Sequence, residues 1–139
     1  MDNFLAILLA HFVVLQNKFH TIHTNAKGPE FLYFHPFMWE IYSFFWDGNI
    51  DKIRERALQL WLDIPNTLSE YITMSRVKDI TMVPSISQCI PIVLKDLSFI
   101  DKMLWLGVEK YANDIVTQNI LADLQDAVGI FKWKLEMSA

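Results

Sequence analysis

The 139-residue sequence predicts an all-α protein, a four-helix bundle with a short extra helix in the connection between its second and third long helices. Three observations predict it. Four apolar stretches have the length of bundle helices. The breaks between them fall at clusters of Gly, Pro, Asn and Asp. No strand-like alternation, internal repeat or low-complexity segment of useful length interrupts the pattern.

The first helix is expected over Asn3 to Thr24, free of Gly and Pro and apolar almost all round, so it should be buried on more than one side. Lys27-Gly28-Pro29 ends it. The second is expected to begin near His35-Pro36, with Pro36 in the first turn, where its missing N–H costs little, and to run to about Leu62. Asp47-Gly48-Asn49 lies inside that span and should deform it. After Asp63-Ile64-Pro65-Asn66 comes a short helix, Thr67 to Met74, with Asn66 as its N-cap. The third long helix should start after Pro84, capped by Ser85 or Ser87, and reach Tyr111, with Pro91 tolerable only in the first turn. Asn113-Asp114 breaks the chain again, and the fourth covers Val116 to Leu135. Residues 1–139 are read as a single domain.

Hydrophobic residues make up 53% of the chain and aromatics 14%, an excess that predicts apolar surface covered by other copies or partners. The net charge of −4 and the scatter of the twelve basic residues argue against strong binding to a phosphate backbone. Cys89 is alone, so no internal disulfide is possible; it is expected to be buried and inert. Phe4 to Leu15 has the apolar character of a signal-peptide core, but no positive segment precedes it and no small-residue cleavage site follows. It is also shorter than the roughly twenty residues a bilayer span needs. A buried helix, no membrane role and a cytoplasmic location are therefore expected. Phe44-Phe45-Trp46, Trp105, Trp133, Met103 and Met137 read as core or subunit interface.

His20 and His23 are three apart and can share a helix face, while Asp51 and Glu55, four apart, must do so. Imidazole nitrogen with carboxylate oxygen suits iron, zinc or manganese. Taken singly, each feature has a plainer reading: a hydrogen-bonded core histidine, or a solvated acidic face balanced by Lys52, Arg54 and Arg56. Along a straight helix His35 and Asp51 lie about 24 Å apart, so one chain does not build the site, whereas two chains packed antiparallel could.

The ordered set His20-x-x-His23, Lys27-Gly28-Pro29-x-Phe31, Phe34-His35, Glu40-Ile41-Tyr42, Asp51-Lys52-Ile53-x-Glu55-Arg56-Ala57 and Thr67-Leu68-x-Glu70-Tyr71 resembles the Dps proteins. These are ferritin-like dodecameric mini-ferritins, named as DNA-binding proteins from starved cells. The resemblance covers Phe4 to about Lys78 well and continues loosely through Val108-Glu109 and Thr117-x-Asn119-x-Leu121. It implies a ferroxidase site shared across a two-fold dimer interface, with His23 and His35 from one subunit and Asp51 and Glu55 from the other. Fe2+ bound there would be oxidised, typically by hydrogen peroxide, and stored as Fe3+ mineral in a hollow shell. His20 stands where a water-bridging group is expected.

The chain departs from the family pattern in several places. Thr24 stands where a Trp is usual, and Trp39 replaces the acid four positions after His35, leaving Glu40 as its acidic neighbour. One extra residue lies between Tyr42 and Asp51. An insertion turns every later side chain by about 100°, so a π-bulge or kink is expected between Ser43 and Ile50. No basic N-terminal tail is present, so tail-mediated DNA binding is not expected. Ile115 and Asn119 fall where acidic pore residues are common, which leaves Glu109 and Asp114 as the nearby acids. Three readings follow: an iron-oxidising cage, a shell protein whose metal site has decayed, and a protein that protects DNA by binding it.

Overall fold

The computed structural model describes residues 3–46 and 48–138. Among these residues there are six α-helices and no strand: α1 (Phe4–Asn25), α2 (Phe31–Trp46), α3 (Asn49–Gln59), α4 (Leu68–Met74), α5 (Ile86–Lys110) and α6 (Ile115–Met137). The chain divides into two compact units, Met1–Ile92 and Val93–Ala139.

In the first unit, α1 is the central element and packs against α2, α3 and α4. Its all-round apolar sequence is the reason: Leu5, Leu8, Leu9, Phe12, Leu15, Phe19 and Ile22 are buried on several sides of one helix. By length and composition α1 could cross a membrane, but most of it is enclosed by the chain's own fold. From α2, Phe34, Met38, Ile41 and Phe45 form the inward stripe at helical spacing. The Phe45 ring lies 4.7 Å from that of Phe12 and 5.3 Å from that of Phe19. α3 contributes Ile53 and Ala57, and α4 contributes Tyr71, whose hydroxyl donates to the Pro65 carbonyl at 2.8 Å and accepts from Arg54. Cys89 is buried as expected; its thiol donates to the Pro84 carbonyl at 3.4 Å, and burial pushes its pKa up.

Four sequence expectations are corrected. α2 starts at Phe31, and Pro36 lies inside it rather than in the first turn. The Phe31 and Phe34 amides reach the Gly28 and Glu30 carbonyls, so the turn leads straight into helix. The bond Pro36 cannot make falls on the Leu32 carbonyl, at a residue 83% exposed, where water can serve instead. Pro91 is likewise inside α5, with the exposed Ser87 as the deprived residue. The α4 cap is Thr67 rather than Asn66: Thr67 Oγ1 accepts from the Glu70 amide at 3.3 Å. Glu70 reaches back to the Asn66 amide at 3.4 Å, a variant of the capping box. Finally, the single helix expected to run to about Leu62, deformed around Gly48, is two helices, α2 and α3, the second ending at Gln59.

α3 closes on an unusual residue. The Leu62 amide donates to the Ala57 carbonyl and the Trp61 amide to that of Leu58, both at 3.0 Å, which is a Schellman motif. The left-handed position normally given to glycine is held by Trp61, with φ 59° and 94% of its surface exposed. Trp61→Gly should therefore stabilise the protein by about 1 kcal/mol, seen as a higher Tm at fixed concentration. A lower Tm would show that the exposed ring is buried by a partner and outweighs the backbone strain.

In the second unit, α6 begins at Asp114, whose carboxylate accepts from the Thr117 amide at 3.1 Å and its hydroxyl at 2.6 Å. Asp114 thus serves as a helix cap, and Glu109 is the remaining acid of that turn, exposed like Ile115 and Asn119. Lys132 pairs with Asp101 at 3.8 Å. Leu121, Leu124, Val128 and Leu135 form the buried stripe of α6.

Candidate metal centre

The last turns of α1 carry His20 and His23, and the second turn of α2 carries His35. The reversal between them favours Gly28 because its φ of 156° is one that L side chains rarely adopt; a Cβ there would sit in ordinary contact, 3.4 Å from the Ile86 Cβ. The Ile86 amide donates to the Lys27 carbonyl at 2.8 Å and fixes the turn against the start of α5.

This reversal brings His23 and His35 into a reciprocal clasp. Nδ1 of His23 lies 2.7 Å from the His35 carbonyl, and Nδ1 of His35 lies 2.7 Å from the His23 carbonyl. A carbonyl can only accept, so both Nδ1 atoms carry hydrogen and donate. In the neutral rings each Nε2 therefore keeps its lone pair, the form in which imidazole binds a metal. The bond from His35 also satisfies one of the carbonyls that the C-terminus of α1 leaves without a helical partner.

The two rings stack with centroids 3.8 Å apart and planes 17° from parallel. Burial holds the His23 pKa below its usual value; its bond to the His35 backbone works the other way, and the nearby His35 and His20 rings lower it further. The neutral, ligand-competent state is thus favoured at His23. His20 stacks on Tyr42 at 4.5 Å, Tyr42 lies 5.3 Å from His23, and Phe31 lies 4.7 Å from His35. Aromatic rings therefore flank the imidazole pair. Sequence reasoning gave no role to Tyr42 or Phe31; the signal for Tyr42 was its place seven residues, or two turns, after His35.

Asp51 and Glu55 share the face of α3 opposite the buried Ile53 and Ala57, and both are exposed. Arg54, expected to balance them, turns instead to the Tyr71 hydroxyl. The outward face of α2 is apolar, with Leu32 and Tyr33 each 83% exposed and Trp39 and Trp46 also exposed; Glu40 lies on the same side. Among the described residues no three His, Cys, Asp or Glu side chains gather to hold a metal. One chain assembles the two imidazoles and directs the two carboxylates elsewhere. The single hydroxyl hydrogen of Thr24 is shared between the His20 and Thr21 carbonyls, both at 3.2 Å, so the side chain turns back onto α1 itself.

The π-bulge or kink expected between Ser43 and Ile50 takes the form of a break. α2 ends at Trp46 and α3 starts at Asn49 after Gly48, which has φ 79°; Asp47, within the expected bulge, lies outside the described residues. A left-handed glycine lets the chain restart helix at a new rotation, which a continuous helix with one bulge does not require.

No protein-family model matches the chain. It is 31% identical over 144 aligned positions to the DNA protection during starvation protein of Brevibacillus brevis, covering 98% of this chain and 95% of that one. Antigen TpF1 of Treponema pallidum is 29% identical, over 91% of this chain and 73% of its own length. Among solved structures, Dps from Staphylococcus aureus superposes with a TM-score of 0.90 at 26% identity, over 98% of this chain and 92% of that one. Dps from Bacillus brevis gives 0.89 at 26% identity, over 96% and 91%.

Proposed function

Because this chain belongs to the Dps family, with the ferritin-like all-α fold of that family, we propose that it is a mini-ferritin that oxidises iron(II) at a site shared between two subunits. The observation that carries this reading is the histidine clasp: two imidazoles, each with Nδ1 committed to a backbone carbonyl, which directs any lone pair to Nε2 for a ligand. His23 and His35 of one subunit would hold the iron substrate with Asp51 and Glu55 of the next. The carboxylates would offset the charge of the cation, and the imidazoles would leave a side open to peroxide. Each iron(II) gives up one electron and peroxide takes two, so peroxide is consumed as ferric iron forms. The exposed apolar face of α2 and the outward acids of α3 support burial by a second copy. In this reading residues 1–139 form one domain, the assembly is a cytoplasmic dodecamer, and DNA is protected by removing peroxide and iron rather than by a basic tail.

One feature favours a second reading, a shell whose metal site has decayed. Trp39, one turn after His35 and 54% exposed, offers no ligand where an acid is usual. The two readings separate on adding iron(II) anaerobically and then peroxide, following ferric absorbance in the wild type and in a His23→Ala/Asp51→Ala variant. Fast oxidation in the wild type, lost in the variant, supports the ferroxidase. Oxidation no faster than in buffer, with the oligomer intact, supports the decayed shell.

A further inference from the structure

The carboxylate half of the proposed site sits on a helix that restarts after a break, so something must set the rotation at which it restarts. Asn49, the first residue of α3, does so physically. Its Nδ2 donates at 2.6 Å to the Phe44 carbonyl, five residues back in α2. In an unbroken helix that carbonyl would accept from the amide four residues on; across the break, the Asn49 side chain donates to it. The Lys52 amide donates to the Gly48 carbonyl at 2.9 Å, so regular α3 geometry is established at once beyond the clamp. Nothing lies within 4 Å of a Cβ built on Gly48, so no packing against that position holds the joint.

The rotation matters because helix geometry links both faces of α3. With Ile53 and Ala57 inward, 1% and 0% exposed, Asp51 and Glu55 must point outward. One residue of rotational error moves each carboxylate by about 100° around the helix. Ile53 and Ala57 fix the inward face of α3 and Arg54 reaches Tyr71; the Asn49 side chain adds a direct hydrogen bond to α2, the helix that carries His35.

We propose that Asn49 is the positioning residue of the carboxylate half-site: its clamp on the Phe44 carbonyl sets the rotation of α3 and so where Asp51 and Glu55 meet a metal. This rests on the shared-site reading above. Asn49 touches neither metal nor oxidant.

The test uses cobalt(II) as a probe on the assembled protein without oxidant, reading both affinity and the visible absorption bands that report coordination geometry. Asn49→Ala should weaken binding by about tenfold and change the band pattern, as loss of groups that orient ligands typically does. Asn49→Asp keeps the side-chain shape, and an acid in the first turn favours α3, but it has no N–H to offer. It should weaken binding as well, although its added negative charge near the site would by itself tighten it. Asn49→Gln, which keeps the donor, should recover the wild-type band pattern. Far-UV circular dichroism and Tm should differ little among the assembled variants. Should Asn49→Ala not assemble, the Asp and Gln pair decides the matter alone. Wild-type affinity and bands in the Asp variant would overturn the clamp while leaving the shared site standing. A wild-type protein whose cobalt binding is unaffected by Asp51→Ala would overturn the shared site, and the role of Asn49 with it.

Discussion

Two inactive variants of this protein should restore activity to each other. His23→Ala alone and Asp51→Ala alone should each lower peroxide-driven iron oxidation at least about 100-fold, because even changes that merely reorient metal ligands cost 10–100-fold. In the shared site proposed above, each site of a two-fold dimer would draw its imidazoles from one chain and its carboxylates from the other. A dimer of one variant with the other therefore has one site missing both groups and one site missing neither. If the chains mix at random, half the dimers are mixed and half of their sites are intact, so about one quarter of the wild-type rate should return. The experiment is co-expression, or mixing after dissociation and reassembly, with iron oxidation measured at constant total protein. A mixture no more active than its components would place all the ligands in one chain and refute sharing. Recovery is not open to the trivial reading that each variant is partly active, since the single variants are measured alongside.

The second large effect concerns His11, a residue outside the metal centre. It is fully buried in α1, and its Nε2 accepts from the Arg76 amide at 3.1 Å. Burial, with the Arg76 charge as a smaller contribution, holds its pKa down to about 4 from 6.5. A protonated ring has no lone pair at Nε2 to offer that amide, which agrees with the direction of the shift. Between these two values the unfolded chain binds a proton that the folded chain does not. Stability is thus complete above about pH 6.5 and declines as pH falls toward 4, by about 3 kcal/mol in all. Gln at this position can present an oxygen to the Arg76 amide and does not titrate. Urea unfolding of wild type and His11→Gln at pH 7 and pH 4.5, at one protein concentration, should show a wild-type loss at the lower pH that the variant largely lacks. Equal losses would assign the acid sensitivity to the carboxylates.

The parts of the site that were legible in the sequence are those fixed by helix geometry alone. His20 with His23, and Asp51 with Glu55, share faces because three- and four-residue spacings admit no other outcome. The centrality of α1 was readable for the same reason, since an apolar surface all round leaves no side for solvent. What escaped depended on groups that sequence does not display. The clasp needs the His23 and His35 carbonyls, which belong to the backbone and are brought together only by the turn at Gly28. The first-turn rule for Pro36 and Pro91 assumes that an unmet carbonyl is costly, yet both deprived carbonyls belong to exposed residues. Trp61 holds a position where glycine is the usual signal, so the end of α3 was set too late. The extra residue before Asp51 announces a deformation, but a bulge and a break both absorb the rotation, and it is the left-handed Gly48 between α2 and α3 that distinguishes them.

The clasp closes between residues only twelve apart in the chain, so the imidazole half of the site is complete before any partner arrives. An ion bridging that half to the carboxylates of a second subunit must, by reciprocity, hold the two subunits together as firmly as the pairing of subunits holds the ion. On the proposed shared site, iron would then act as an adhesive as well as a cargo. Newly made subunits in an iron-rich cell would pair at lower abundance than those in an iron-poor one, and the number of finished shells would follow the metal supply even with synthesis held constant.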